Sequence, residues 1–346
     1  RVLNDSSISK YLKFAAFIIP VNGFYVITLG VNEGIHRFKT SGMIGIIYCF
    51  AKLSVIPFVA FVFSDSVLGT EMGFLTGIST AFIVGIISLV IERKSLVNNI
   101  KERIEFGEYA KNTLNFSLFF IIVSVVLSVD TLIVKAIENE SKMAGYYTGA
   151  INFAKVSYYI LSAFFTIILP IVTRYYTENK IQELKKTVRT MLTIVFAFVL
   201  PIAIIISASS SSLLISFYKP EYIRSSNTLM ILAFSHFFMG LTVVFNMIIT
   251  ATNRRKFSSI LSVCMVCSDI VLCIIFTKLF GITGTATAGV ICTFFAMIVS
   301  GWYMMKIFPG IIEKKHILIL MVNVFAWFVI KIMFTFISIS NIIVLG

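Results

Sequence analysis

The chain is poor in charge and poor in the residues that catalysis usually needs. Only 13% of its 346 residues are Asp, Glu, Lys or Arg, with 16 acidic against 29 basic. So little charge excludes an ordinary soluble domain. The three histidines, His36, His236 and His316, are scattered, and no Ser–His–acid or metal-ligand spacing connects them. All five cysteines (Cys49, Cys264, Cys267, Cys273, Cys292) fall inside hydrophobic runs. Cys264 and Cys267 have a CxxC spacing, but no second pair or nearby histidine completes a metal site, so they read as packed, inert thiols. No catalytic residue, metal or cofactor is expected. Long polar loops are missing too: the longest connections, near 92–113, 173–187 and 209–227, are too short for a separate domain. The first hydrophobic block is long enough to be a span, which argues against a cleavable signal.

What the chain has is apolar length. Hydrophobic residues make up 58% of it, including 34 Phe. They come in ten blocks long enough to cross ~30 Å of hydrocarbon, near 11–30, 41–63, 67–91, 114–136, 145–172, 188–208, 228–251, 258–279, 282–305 and 316–337. The pattern predicts an all-α, polytopic integral membrane protein with about ten transmembrane helices. A net charge of +13 would suit nucleic acid if it were clustered on one face. Instead, eighteen Lys and Arg gather in alternate connections, eight lie in the opposite ones and the leading tail, and Lys52, Lys155 and Lys331 lie within spans. Lys/Arg-rich loops are cytoplasmic, and ten spans alternate without conflict. The positive charge therefore sets topology, and nucleic acid is not an expected partner.

Lys155 lies on a polar stripe inside the fifth block. Steps of four and three connect Thr148, Asn152, Lys155, Tyr159, Ser162 and Thr166 on one helical face. An ammonium near the bilayer centre costs roughly 2.5–3.5 kcal/mol on insertion scales, so it should face a cavity or a partner. A cavity-facing Lys155 attracts an anionic group; the alternative is internal pairing with Asp130, near the outer end of the preceding span. Asn152, Tyr159, Ser162 and Thr148 can contact polar substrate or hold helices together. Asp130 lies about 120° from the serine seam of its own span (Ser117, Ser124, Ser128).

The seventh to ninth spans echo the first to third. His36-Arg-Phe-Lys39 leads into Thr-Ser-Gly, and Arg254-Arg-Lys-Phe257 leads into Ser-Ser-Ile. Thirteen residues after Lys39 comes Lys52; thirteen after Lys256 comes Asp269. Gly69 and Gly77 match Gly281 and Gly289. Transporters are often built from such repeats, with the substrate site between them. Lys52 and Asp269 then become candidates, with Asp130, for gating or ion coupling. If the repeat is real, spans four to six need counterparts before residue 1. The expectation is an N-terminally truncated chain lacking about three helices in front and one behind.

Several stretches resemble a known family. Val129-Asp130-Thr-Leu-Ile-Val-Lys135, Ala144-Gly145-Tyr146-Tyr147, and Leu169-Pro170 with Arg174 look like the polysaccharide-transporter (O-antigen/oligosaccharide flippase) branch of the multidrug/oligosaccharidyl-lipid/polysaccharide (MOP) superfamily. Tyr218-Lys219-Pro220-Glu221-Tyr222 resembles its outer loop. Phe280-Gly281-Ile-Thr-Gly284-Thr285-Ala286 resembles its Gly-x-x-Gly-Ala turn, with Thr285 where Ala is usual. The resemblance covers about residues 15–305. It implies a two-lobe, MATE-like helical bundle around a central cavity. Residues 1–92 would be the second half of an N-terminal lobe, 93–113 a cytoplasmic linker and 114–305 a six-helix C-terminal lobe. Residues 306–346 would add one helix and the start of another.

The resemblance further implies flipping of isoprenoid-pyrophosphate-linked oligosaccharide in the cell membrane, among membrane lipids, with H+ or Na+ as a possible coupling ion. Lys acts on pyrophosphate as a point charge. Arg174, Arg254 and Arg255, at inner helix ends, either snorkel to the interface or greet phosphate headgroups. A drug/cation antiporter of the same superfamily would favour acidic cavity residues, whereas here the stripe is basic. A polytopic polymerase or glycosyltransferase would need a catalytic constellation on a sizeable outer loop, and the outer loops are short. An inactive remnant is a further reading of the cut-looking ends.

Overall fold

The computed structural model describes residues 8–35, 37–63, 66–98, 106–138, 140–252 and 254–345. They form α1 (Ile8–Gly34), α2 (Phe38–Phe63), α3 (Ser66–Asn98), α4 (Phe106–Ile137), α5 (Ser141–Thr177), α6 (Ile181–Ile194), α7 (Leu200–Ala208), α8 (Ser210–Phe217), α9 (Ser226–Ala251), α10 (Arg255–Ile307) and α11 (Lys314–Leu345). A π-helical turn (Val195–Val199) joins α6 to α7, and a 3-10 turn (Pro220–Ser225) precedes α9. No strand occurs among the described residues. Among the described residues, eight helices are long and apolar enough to cross a membrane. One of them, Lys256–Ile307, runs 52 residues and holds the eighth and ninth blocks. α4, 32 residues long, covers the fourth. Helices predominate because lipid offers a backbone N–H no partner outside its own segment.

The expected linker at 93–113 is largely helix: α3 runs on to Asn98 and α4 begins at Phe106. The inner stretch 173–187 is helical on both sides of a short turn, since α5 ends at Thr177 and α6 starts at Ile181. Amphipathic ends such as the Lys185, Lys186 and Arg189 turns of α6 continue a helix beyond its apolar block, so hydropathy underestimates its length. Between the halves of α10, Gly281 takes φ +62° and ψ −147°, a conformation that favours glycine. A Cβ on Gly284 would collide with the Phe276 carbonyl. The Gly-x-x-Gly turn thus needs both glycines.

The chain divides into two compact units at Tyr109/Ala110. In the first, Gly73 and Gly77 of α3 let α2 approach closely: a Cβ on Gly77 would stand 3.0 Å from the Tyr48 carbonyl. Arg37 pairs with Glu92 at 3.3 Å. In the second unit, α9 is the central helix, packed by α5, α7 and α10. Gly240 of α9 receives Leu161 of α5, the close packing that joins helices where lipid competes for apolar contact. α11 lies against α7, and Asn323 donates to the Phe196 carbonyl at 3.1 Å within the π-helical turn. Pro201 follows that turn and removes one backbone donor.

Candidate functional site

Four helices of the second unit converge on a polar centre. Asp130, late in α4, is 8% exposed. Its carboxylate accepts the Tyr147 hydroxyl at 2.7 Å, with Thr131 N–H at 2.7 Å on its other oxygen. Tyr147, in the second turn of α5, is wholly buried. Asp269 of α10 is 2% exposed and accepts a weak S–H from Cys273 at 3.7 Å. Both aspartates line one small cavity of about 20 Å³, with Ser235 and His236 of α9 and Gly289 and Thr293 of α10. Ser235 and Thr293 hydroxyls stand 3.3 Å apart. The His236 Nδ1 faces the Leu232 carbonyl at 3.1 Å, which puts a proton on Nδ1.

Among the described residues neither aspartate makes an ion pair within 4 Å. Burying two carboxyl groups around one small cavity is costly unless each is paired or hydrogen-bonded. About 10–15 Å³ admits one water, so the space suits one water-sized ion. Carboxylate and hydroxyl oxygens are hard donors, the set that hard cations take. Among the described residues no three His, Cys, Asp or Glu side chains are grouped to hold a metal ion.

The polar stripe of α5 lies on an accessible face of this unit. Thr148, Asn152 and Tyr159 are exposed, Lys155 and Ser162 half-buried. The Thr148 and Ser162 hydroxyls donate to the Ala144 and Tyr159 carbonyls of their own helix at 2.7 Å. Asn152 donates to the Tyr218 hydroxyl at 3.4 Å. Lys155 makes no ion pair within 4 Å among the described residues. Asp130 is therefore held by Tyr147 and not by a direct Lys155 bridge.

The remaining candidates have local partners. The Lys52 ammonium lies 3.5 Å from the Phe74 ring centre in the first unit, a cation–π contact, while Asp269 has its neighbours in the second. Arg174 is exposed and pairs with Glu178 at 3.0 Å; Arg254 is exposed. The Arg255 side chain, the Thr166 side chain and His36 lie outside the described residues. Tyr147, Ser235, His236 and Thr293 escaped the sequence reading. Tyr147 appeared only within the Ala-Gly-Tyr-Tyr motif and His236 only as a scattered histidine, because the cavity joins residues up to 167 positions apart.

Residues 116–275, which carry both aspartates and Lys155, match the MatE family model. Two solved structures share the fold. "Lipid II flippase MurJ, inward closed conformation" matches with a TM-score of 0.63 at 16% identity, over 96% of this chain and 75% of that one. The outward-facing conformation of a multidrug resistance MATE family transporter of the MOP superfamily matches with 0.68 at 13% identity, over 89% and 72%. The fold is that of a MOP-superfamily transporter. A search of curated proteins returned no match. The MatE match lies within the second unit, and the shared helical fold is that of a multi-pass membrane protein.

Proposed function

We propose that the chain translocates isoprenoid-pyrophosphate-linked oligosaccharide across the cell membrane by alternating access. One lobe contains residues 1–92 and the other 114–305, with 93–113 as the cytoplasmic linker and 306–346 adding peripheral helix. Lys155 carries the reading: an accessible, half-buried cation without an ion-pair partner among the described residues, on a polar stripe inside an apolar helix. That is where a doubly charged phosphate linkage gains most from a point charge. Thr148, Asn152, Tyr159 and Ser162 supply polar contacts beside it, and Arg174, Arg254 and Arg255 draw the headgroup in at the inner face.

Asp130 and Asp269 are the proposed coupling site, taking a proton or Na+ into the cavity between them. Lys52, on its ring in the first unit, is the proposed gate. The antiporter reading draws support from the buried carboxylates. Their cavity of about 20 Å³, however, is far below the roughly 300 Å³ of a small-molecule pocket. It fits a driving ion and not a drug.

The test is export of lipid-linked glycan by the full-length protein. Lys155→Ala should abolish it and Lys155→Arg should retain part. Wild-type export by a well-expressed Ala variant sinks the role of Lys155.

A further inference from the structure

At the end of the second unit opposite the α5–α6 turn, a cleft of about 640 Å³ opens between the start of α5 and the segment that joins α8 to α9. Its walls are aromatic. Tyr218 and Tyr222 stack at 4.6 Å and 13°, and Tyr222 meets the edge of Tyr146 at 5.0 Å. Phe217 leaves 71% of its surface open beside them. The platform is rigidly seated: Tyr222 lies so close over Gly149 that a Cβ there would stand 2.7 Å from the ring. Three charged side chains rim it. Lys142 and Lys219 are exposed, while Glu221 accepts the Tyr146 hydroxyl at 3.3 Å.

We propose that this cleft is a landing site for the pyranose glycan on the outer side of the membrane, with a preference for acidic sugars. The inference rests on the flippase reading above. Lipid-facing aromatic belts are common at membrane interfaces, but these rings gather into a concave site with polar groups at its edge, the composition of a ligand pocket. The electron-rich faces of Phe217 and the tyrosines receive the C–H face of a sugar ring, as they receive other positive edges. The two ammonium groups outnumber the one carboxylate, which is partly engaged by Tyr146. The cleft also continues the polar stripe. Asn152 touches the Tyr218 hydroxyl, and Lys155 follows one turn further into the span. Lys142 and Lys155 are thirteen residues apart, about 20 Å of helix, so a phosphate at Lys155 leaves its sugars within reach of the rings. The Lys/Arg distribution assigns this end to the outside.

The full chain, purified in detergent, is titrated with soluble neutral and uronic-acid-containing oligosaccharides. Binding of both, tightest for the acidic set at low salt, is expected. Phe217→Ala should weaken both at least tenfold, while Lys142→Gln/Lys219→Gln should weaken only the acidic set, three- to tenfold. Absence of glycan binding by the wild type, or wild-type binding by Phe217→Ala with an unchanged melting temperature, overturns the proposal. Competition by glycerol phosphate but not by sugars overturns it in favour of a lipid headgroup. Proteoliposome flipping of lipid-linked oligosaccharide separates the two readings. Flipping without cleft binding sinks the landing site alone; cleft binding without flipping sinks the flippase reading and leaves the glycan site standing.

Discussion

Asp130→Asn removes one of two buried charges with almost no change of shape. The amide fills the same volume, and its oxygen still accepts the Tyr147 hydroxyl now at 2.7 Å. What goes is half of the negative charge around a cavity of about 20 Å³. At an effective dielectric near 20, a unit charge ~4 Å from a monovalent cation is worth about 4 kcal/mol. Each 1.4 kcal/mol is tenfold in affinity, so after desolvation the loss for Na+ is on the order of a hundred- to a thousandfold. The readout is thermal unfolding of the purified full chain at constant ionic strength, with K+ exchanged for Na+ in one series and pH varied in another. A ligand at a hundredfold excess over its Kd stabilises by ~2.7 kcal/mol, roughly 3–8 °C for a chain of this size. The wild type should show that rise with Na+ or with a proton. Asp130→Asn should need a hundredfold more Na+ for the same rise, and Asp269→Asn should behave alike. A variant that keeps the wild-type response refutes the reasoning, as does a wild type indifferent to both Na+ and pH.

Two further predictions concern packing and pH. Gly240→Ala drives a methyl into Leu161 at the α5–α9 contact and should destabilise by about 1–3 kcal/mol; Leu161→Ala in the same protein should recover part of it, and additive losses in melting scans would contradict the contact. Glu313, in the connection before α11, is held below the usual glutamate range, first by the Lys315 hydrogen bond and then by the Lys315 and Arg189 charges, and it pairs with Arg189 at 3.0 Å. A depressed carboxylate contributes stability above the ordinary glutamate value of about 4.3 and loses it as pH falls through its lower folded value. Glu313→Gln should flatten the melting temperature across that acid window while leaving other acid losses in place, and identical slopes for the two proteins would count against the pair.

Several local features of this protein were legible without tertiary structure. Each span closes its own backbone hydrogen bonds, so hydropathy alone located the helices, and the Gly281–Gly284 turn was legible because its requirements lie within a few residues. Lys155 could be singled out because its stripe repeats along one helix. The register between helices was not legible. α9 and α11 are both predominantly apolar, yet the apolar stretch of α9 is 78% buried and that of α11 only 6%. Lipid is as apolar as a protein core, so composition does not tell a packed face from a lipid-facing one. The partner of Asp130 therefore stayed open until α4, α5, α9 and α10 met, and the meeting placed Tyr147 on its carboxylate with Asp269 across a shared cavity. Sequence determined that charge sits within the apolar spans; tertiary packing decided which charges are accessible and which are enclosed together, because burial in a bilayer depends on helix neighbours and leaves no period in the chain.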